Sequence, residues 1–123
     1  MKQLNMFLNE LLTATQKISL SRAYFLNEGD SLYFRCGLSP AAGGKAIVLS
    51  SVEVAAHHQR QGRFSRYLEM IESFASSHDL IVVIELVHNP MLAAALLRRH
   101  YEVITDPFGN QTNSFRKANC EVD

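Results

Sequence analysis

Residues 57–65, "HHQRQGRFS", stand between a run that alternates like a β-strand and a run with helical spacing. A strand that feeds through a polar turn into a helix presents several unpaired backbone N–H groups at one point, beside the positive end of the helix dipole. Such a place binds anions. The dipole alone contributes about 0.3–1 kcal/mol when exposed, so affinity also requires several N–H bonds and nearby cations, for which Arg60, Arg63 and Arg66 are candidates. Gly62 has no side chain to keep the backbone from a phosphate and can take positive φ, so a pyrophosphate is the natural ligand. The spacing is neither a Walker A loop, since its lysine and Ser/Thr are absent, nor a dinucleotide fingerprint, since only one glycine is present. His57 and His58 are adjacent and on an extended chain point to opposite sides, so no metal site is expected. Two other readings stay open for the arginines: an ordinary charged turn and helix face, and, adding Arg98 and Arg99, a nucleic-acid patch.

The elements that must position this loop follow from hydrophobic periodicity. Leu4, Phe7, Leu8, Leu11 and Leu12 predict a short amphipathic helix packed on a sheet. Alternation from Ile18 to Tyr24, the turn "NEGD" and the run "SLYFRCGL" predict an antiparallel hairpin with Gly29 in its turn. After the breaker "SPAAGG", the run "KAIVLSSVEVA" is a third strand. From Phe64, residues Tyr67, Leu68, Ile71, Phe74 and Ala75 form a helical stripe that ends near Ser77. "LIVVIELV" is apolar enough for a strand covered on both faces. Asn89 as N-cap and Pro90 at the first helical position open another helix, with Met91, Leu92, Ala95, Leu96 and the stem of Arg99 inward. "YEVIT" and "SFRKA" are closing strands around a loop with Pro107 and Gly109. The expected order is helix, three strands, helix, strand, helix, two strands, with a strand-helix-strand crossover in the middle.

Composition sets the frame. The 123 residues fit one domain spanning 1–123, long enough to bury a core. Twelve basic and twelve acidic residues cancel, so the chain lacks the global charge of a nucleic-acid binder, and nucleic acid is not the expected partner. There is no long apolar run for a secretory signal or membrane span, and the expected location is cytoplasmic. Cys36 and Cys120 lack metal-ligand spacing and read as two reduced thiols. Exposed terminal strands leave pairing into a homodimer open.

With these residues in view, "VEVAAHHQRQGRFSRYLEMIE" resembles the signature of the GNAT N-acetyltransferase superfamily, whose pyrophosphate loop reads Gln/Arg-x-x-Gly-x-Gly/Ala; Gln59, Gly62 and their spacing match. The strand before the loop, the helix after it, "LIVVIELV" and the following "HN" keep the family's order, and the resemblance covers roughly residues 45–103. It implies an α/β (α+β) fold with a mixed, mostly antiparallel central sheet flanked by helices. It also implies acetyl-CoA as co-substrate and an amine as acceptor. The family's site would fall on Val54 and Ala56 for the pantetheine arm. Gln59, Arg60, Gln61, Gly62, Arg63, Phe64 and Ser65 would hold the pyrophosphate, with Asn89 beside the arm or thioester. The cleft would lie where the strands ending near Val54 and Val87 splay apart.

The sequence departs from the family at named places. Phe64 replaces a small residue, which predicts a crowded helix start or a ring turned into the core. The helix tyrosine that often serves as general acid falls at or near Leu96 or Leu97, and the usual Gly-Phe is His100-Tyr101, making Tyr101 a candidate proton donor. The first strand and one early helix are missing, so the acceptor site is shortened, open, or completed by another subunit. Acyl transfer needs a neutral amine, which a lysine of pKa about 10.4 seldom presents at neutral pH. Glu53, just before the pantetheine contact, is the candidate general base, and Glu85 the second; each also reads as a carboxylate paired on the sheet. Two functions follow: an N-acetyltransferase, or a degenerate relative that binds CoA or a protein partner and regulates without catalysis.

Overall fold

The computed structural model describes residues 2–18, 20–39, 42–55, 62–85, 87 and 90–118. In chain order the elements are α1 Lys2–Ile18, β1 Leu20–Asn27, β2 Asp30–Ser39, β3 Gly44–Glu53, α2 Arg63–Ser77, β4 Ile81–Ile84, α3 Pro90–Arg98, β5 Tyr101–Thr105 and β6 Gln111–Lys117. This is the expected order. The first helix runs on through Ile18, beyond the apolar stripe that ends at Leu12. Its last turns are held by hydroxyls: Ser21 Oγ donates to the Leu11 carbonyl at 2.8 Å, and Thr15 Oγ1, 2.9 Å from the same carbonyl, hydrogen-bonds Ser21.

The strands form one six-stranded sheet in the order β1-β2-β3-β4-β6-β5, parallel only between β3 and β4. Glu28 and Gly29 turn the β1–β2 hairpin, both at positive φ (51° and 89°), the two-residue turn whose twist matches the flanking strands. The last strand is not an edge. β6 inserts between β4 and β5, so the sheet's edges are β1 and β5, where the expectation had been both terminal strands. The reason lies in crossover geometry: β5 runs parallel to β4, and the reversing β6 fills the gap between them.

The main core lies between one sheet face and the helices. It joins Leu4, Leu8, Leu11 and Leu12 of α1, Tyr67, Leu68, Ile71, Phe74 and Ala75 of α2, and Leu96 of α3 to Phe25, Leu32, Phe34, Ile47, Leu49, Val82 and Ile84. Each large apolar side chain removed from water contributes about 1.5–3 kcal/mol. The α2 stripe is the one the sequence predicts. In α3, Met91 is instead 81% exposed, and Leu96 is the residue buried. Nine helical residues can turn only a narrow strip to the sheet. Cys36 is a buried free thiol, as read from the sequence, while Cys120 lies outside the described residues.

On β1 the inward residues are Ser21 and Phe25, so Leu20, Tyr24 and Leu26 stand exposed on the opposite face. That face carries a small cluster of Ala42, Ala46, Val48 and Val83, with Ile81 and Ile104 against it. Val83 is thus buried on one side of β4 and Val82 and Ile84 on the other, which is why this strand reads as continuously apolar. Among the described residues no helix is long and apolar enough to cross a membrane.

Candidate functional site

The chain enters α2 through Gly62, which sits at φ 72°, ψ 15°, in the left-handed region that a residue without Cβ occupies at low cost. No side chain caps the helix there, and no acidic residue stands in its first turn. The Arg66 N–H bonds the Gly62 carbonyl at 3.1 Å, so the N–H groups of Arg63, Phe64 and Ser65 precede the helical ladder. A Cβ built on Gly62 meets nothing within 4 Å. Phe64 is half-buried and packs against the main core, the second of the two outcomes expected for a large residue there.

Arg63 faces away from solvent. Its Nε and Nη2 donate to Asp30 Oδ2 at 3.1 and 2.9 Å, and Nη1 donates to Glu28 at 3.2 Å, with 13% of the side chain exposed. Asp30 is fully buried, and its two oxygens divide the work. Oδ1 accepts the Ala55 N–H at 2.8 Å, and Oδ2 accepts Arg63 together with the Tyr67 hydroxyl at 2.5 Å. Asn27 donates to the same hydroxyl at 3.3 Å. The Asp30 hydrogen bond raises the Arg63 pKa above its ordinary value, and burial followed by the bond to Asp30 raises that of Tyr67. Sequence reasoning missed Asp30. Its partners are 25 to 37 positions away, and an acidic residue after "EG" reads locally as turn chemistry.

The two parallel strands part before the chain reaches Ala55. They pair from Ala46↔Ile81 to Leu49↔Ile84, and the Glu85 N–H still reaches the Leu49 carbonyl at 3.0 Å. Beyond this, Val87 donates to the Asn113 carbonyl on the β6 side, while β3 continues to Glu53 beside β2. At the same level β3 carries a bulge: Tyr33 opposes Ser51 and Phe34 opposes Leu49, so Ser50 has no opposite number on β2. Glu85 is pinned at the fork, accepting from Ser50 Oγ at 2.9 Å and from Arg35 at 2.6 Å. Of its two sequence readings, the structure shows the cross-strand pair. Glu53 is exposed at the end of β3, on the face opposite half-buried Val52.

Tyr101 lies elsewhere. It is buried at the start of β5, and its hydroxyl donates to Glu72 at 2.8 Å. Glu72 also accepts from Arg99 at 2.8 Å and pairs with Lys117 at 3.6 Å, while Lys117 stands 5.0 Å over the Tyr101 ring. Burial, then the bond to Glu72, raises the tyrosine's pKa far above its ordinary value. Glu72 is ten residues past Gly62, about 15 Å along α2, so Tyr101 is not brought to the loop. Of the candidate site residues, Glu53 and Val54 precede Ala55 and Gly62, Arg63, Phe64 and Ser65 open α2, the two segments that Asp30 links; Ala56, Gln59, Arg60, Gln61 and Asn89 lie outside the described residues. Of the arginines considered as a nucleic-acid patch, Arg63 and Arg99 are engaged by carboxylates. No group of three or more metal-ligating side chains occurs among the described residues.

No family model matches this chain, and no curated protein sequence matches it. Solved structures do. A protein from Agrobacterium tumefaciens designated an acetyltransferase aligns with TM-score 0.55 and 13% identity, over 92% of this chain and 88% of that one. The crystal structure of the KacTA–DNA complex aligns with TM-score 0.50 and 14% identity, over 94% of this chain and 79% of that one. A protein from Desulfovibrio desulfuricans designated a GNAT-family acetyltransferase gives a weaker likeness, TM-score 0.45 and 16% identity, over 87% and 73% of the two chains. At these identities the likeness concerns the fold. The chain has a GNAT-like fold: a mixed, mostly antiparallel six-stranded sheet with a single parallel pair and its crossover helix.

Proposed function

We propose that this protein is an acetyl-CoA-dependent N-acetyltransferase. The observation that carries the reading is the helix end at Gly62: entered through a left-handed glycine without a side-chain cap, and tied through Asp30 to the end of β3, the strand that parts from β4. In this reading the backbone N–H groups from Gln61 through Ser65 hold the pyrophosphate, assisted by Gln59 and Arg60. The pantetheine arm runs in the fork along Val54 and Ala56, with Asn89 on its other side. Arg63 contributes its N–H, because its guanidinium is held by Asp30 and Glu28. Phe64 likewise contributes backbone while its ring fills the core.

Transfer is direct. The lone pair of a neutral amine forms the new C–N bond at the thioester carbonyl, the C–S bond breaks, and the thiolate leaves with the electron pair. Glu53, exposed at the end of β3, takes the ammonium proton through water. Tyr101 has no step, since its hydroxyl is engaged by Glu72 at the far end of α2.

Titration calorimetry with acetyl-CoA tests the reading. Wild-type protein binds, and Gly62→Glu, which puts a carboxylate where the anion sits, loses binding while remaining folded by circular dichroism. No heat with the wild-type protein overturns the proposal. Binding without thioester cleavage across a panel of amines overturns the catalytic half and leaves a CoA-binding regulator.

A further inference from the structure

The segment assigned to the pyrophosphate lies between Ala55, two residues past the end of β3, and Gly62, which leads into α2, and one carboxylate is bonded to the chain on both sides of it. Asp30 Oδ1 accepts the Ala55 N–H, and Oδ2 accepts Arg63 and Tyr67, the first and fifth residues of α2. The carboxylate is itself fixed. Asp30 is the first residue of β2, directly after the two left-handed residues of the hairpin turn, and no part of its side chain meets solvent.

A carboxylate that served stability alone could draw its donors from any side. Here the donors come from the end of β3 and the start of α2, the two elements whose spacing decides where the first-turn N–H groups point. Charge leads to the same conclusion. A buried carboxylate near an anion site would repel the anion, but the Arg63 guanidinium neutralises it and is in turn kept from the anion. We infer that Asp30 is the positioning residue of the phosphate-binding loop: it fixes the end of β3 against the first turn of α2 without touching the ligand. The inference rests on the pyrophosphate reading of this loop.

The hub predicts a selective loss. A misplaced first turn weakens contacts to the diphosphate, whereas the pantetheine arm depends on the strands of the fork. Asp30→Asn keeps the size of the side chain and one oxygen for Ala55, but turns an uncharged amide toward Arg63 and Tyr67. Tyr67→Phe removes a single donor. Each variant is titrated below its melting temperature with acetyl-CoA and, by ligand-observed NMR, with S-acetyl-pantetheine, which lacks the diphosphate.

Asp30→Asn weakens acetyl-CoA about tenfold or more, the scale on which small misplacements act, and leaves S-acetyl-pantetheine unchanged. Tyr67→Phe shifts the ratio of the two affinities in the same direction by about threefold, as expected for loss of one of several bonds. Unchanged acetyl-CoA affinity, or an equal loss with both probes, overturns the inference; if Asp30→Asn does not fold, an unchanged ratio in Tyr67→Phe does so. Failure of wild-type protein to bind acetyl-CoA removes the pyrophosphate reading and this inference together, whereas wild-type binding with indifferent variants removes only the role of Asp30.

Discussion

Helix α2 carries the same chemistry twice. Near its start, Asp30 gathers Arg63 and Tyr67; two turns later, Glu72 gathers Arg99, Tyr101 and Lys117. Each cluster is a carboxylate, an arginine and a buried tyrosine, yet they sit in different surroundings. Asp30 is wholly buried and bonded to both ends of a loop, while 19% of the Glu72 side chain is exposed and its partners come from α3, β5 and β6. A tyrosine beside a carboxylate is therefore no sign of catalysis by itself. Position relative to the fork between β3 and β4 gives one cluster a claim on function and makes the other a seam between helix and sheet.

Removing each carboxylate is the strongest way to break the comparison. Asp30→Ala leaves the Ala55 N–H and the Tyr67 hydroxyl without their acceptor and Arg63 with Glu28 alone, and the cost is about 3 kcal/mol or more. Glu72→Ala costs about 2 kcal/mol, because the buried Tyr101 hydroxyl loses its acceptor, whereas Arg99 and Lys117 are 27% and 29% exposed and water can replace the carboxylate there. Urea denaturation measures both as midpoint shifts at constant slope; equal losses would erase the distinction between hub and seam.

Tyr101→Phe separates the clusters by function. It removes one hydrogen bond to Glu72, worth about 1 kcal/mol, and the rate of acetyl transfer stays at the wild-type value. If Tyr101 were the general acid the rate would fall about a hundredfold or more, a result that would move the second cluster into the reaction.

The smallest effect is on pH dependence. Tyr67 and Tyr101 both have raised pKa values in the folded chain, so the unfolded chain ionises these hydroxyls first. Their stabilisation is fully present below about pH 10, the ordinary tyrosine value, and declines as pH rises further. Denaturation between pH 8 and about 11 should show falling stability, with a shallower fall in Tyr101→Phe. A flat wild-type profile would mean that both hydroxyls ionise in place.

The sequence made part of this legible. The order of elements, the α2 stripe, the hairpin turn and Pro90 at a helix start were readable because each is written in neighbouring residues. The exposed face of β1 was not. Leu20, Tyr24 and Leu26 look like an inward set until Ser21 is seen bonding the Leu11 carbonyl, which fixes the opposite alternate residues against the helix. The place of β6 and the role of Asp30 depend on contacts between distant positions, which no local pattern records. Gly62 was legible because a left-handed helix entry asks for one residue type. Tyr101 was misleading because its neighbours in sequence gave no hint of Glu72.

The unpaired Ser50 has a consequence for how this strand tolerates change in length. Because one residue of β3 is left without an opposite on β2, the alternation resumes one step later, and Val52 packs toward the helices while Glu53 looks outward. Deleting Ser50 would place Ser51 directly after Leu49 and keep Tyr33 opposite Ser51 and Phe34 opposite Leu49, so the ladder would close with Val52 still toward the helices and Glu53 still outward. A lineage could therefore lose residue 50 without rewriting the positions between it and the loop, and would give up the local twist of the bulge and the hydroxyl that meets Glu85.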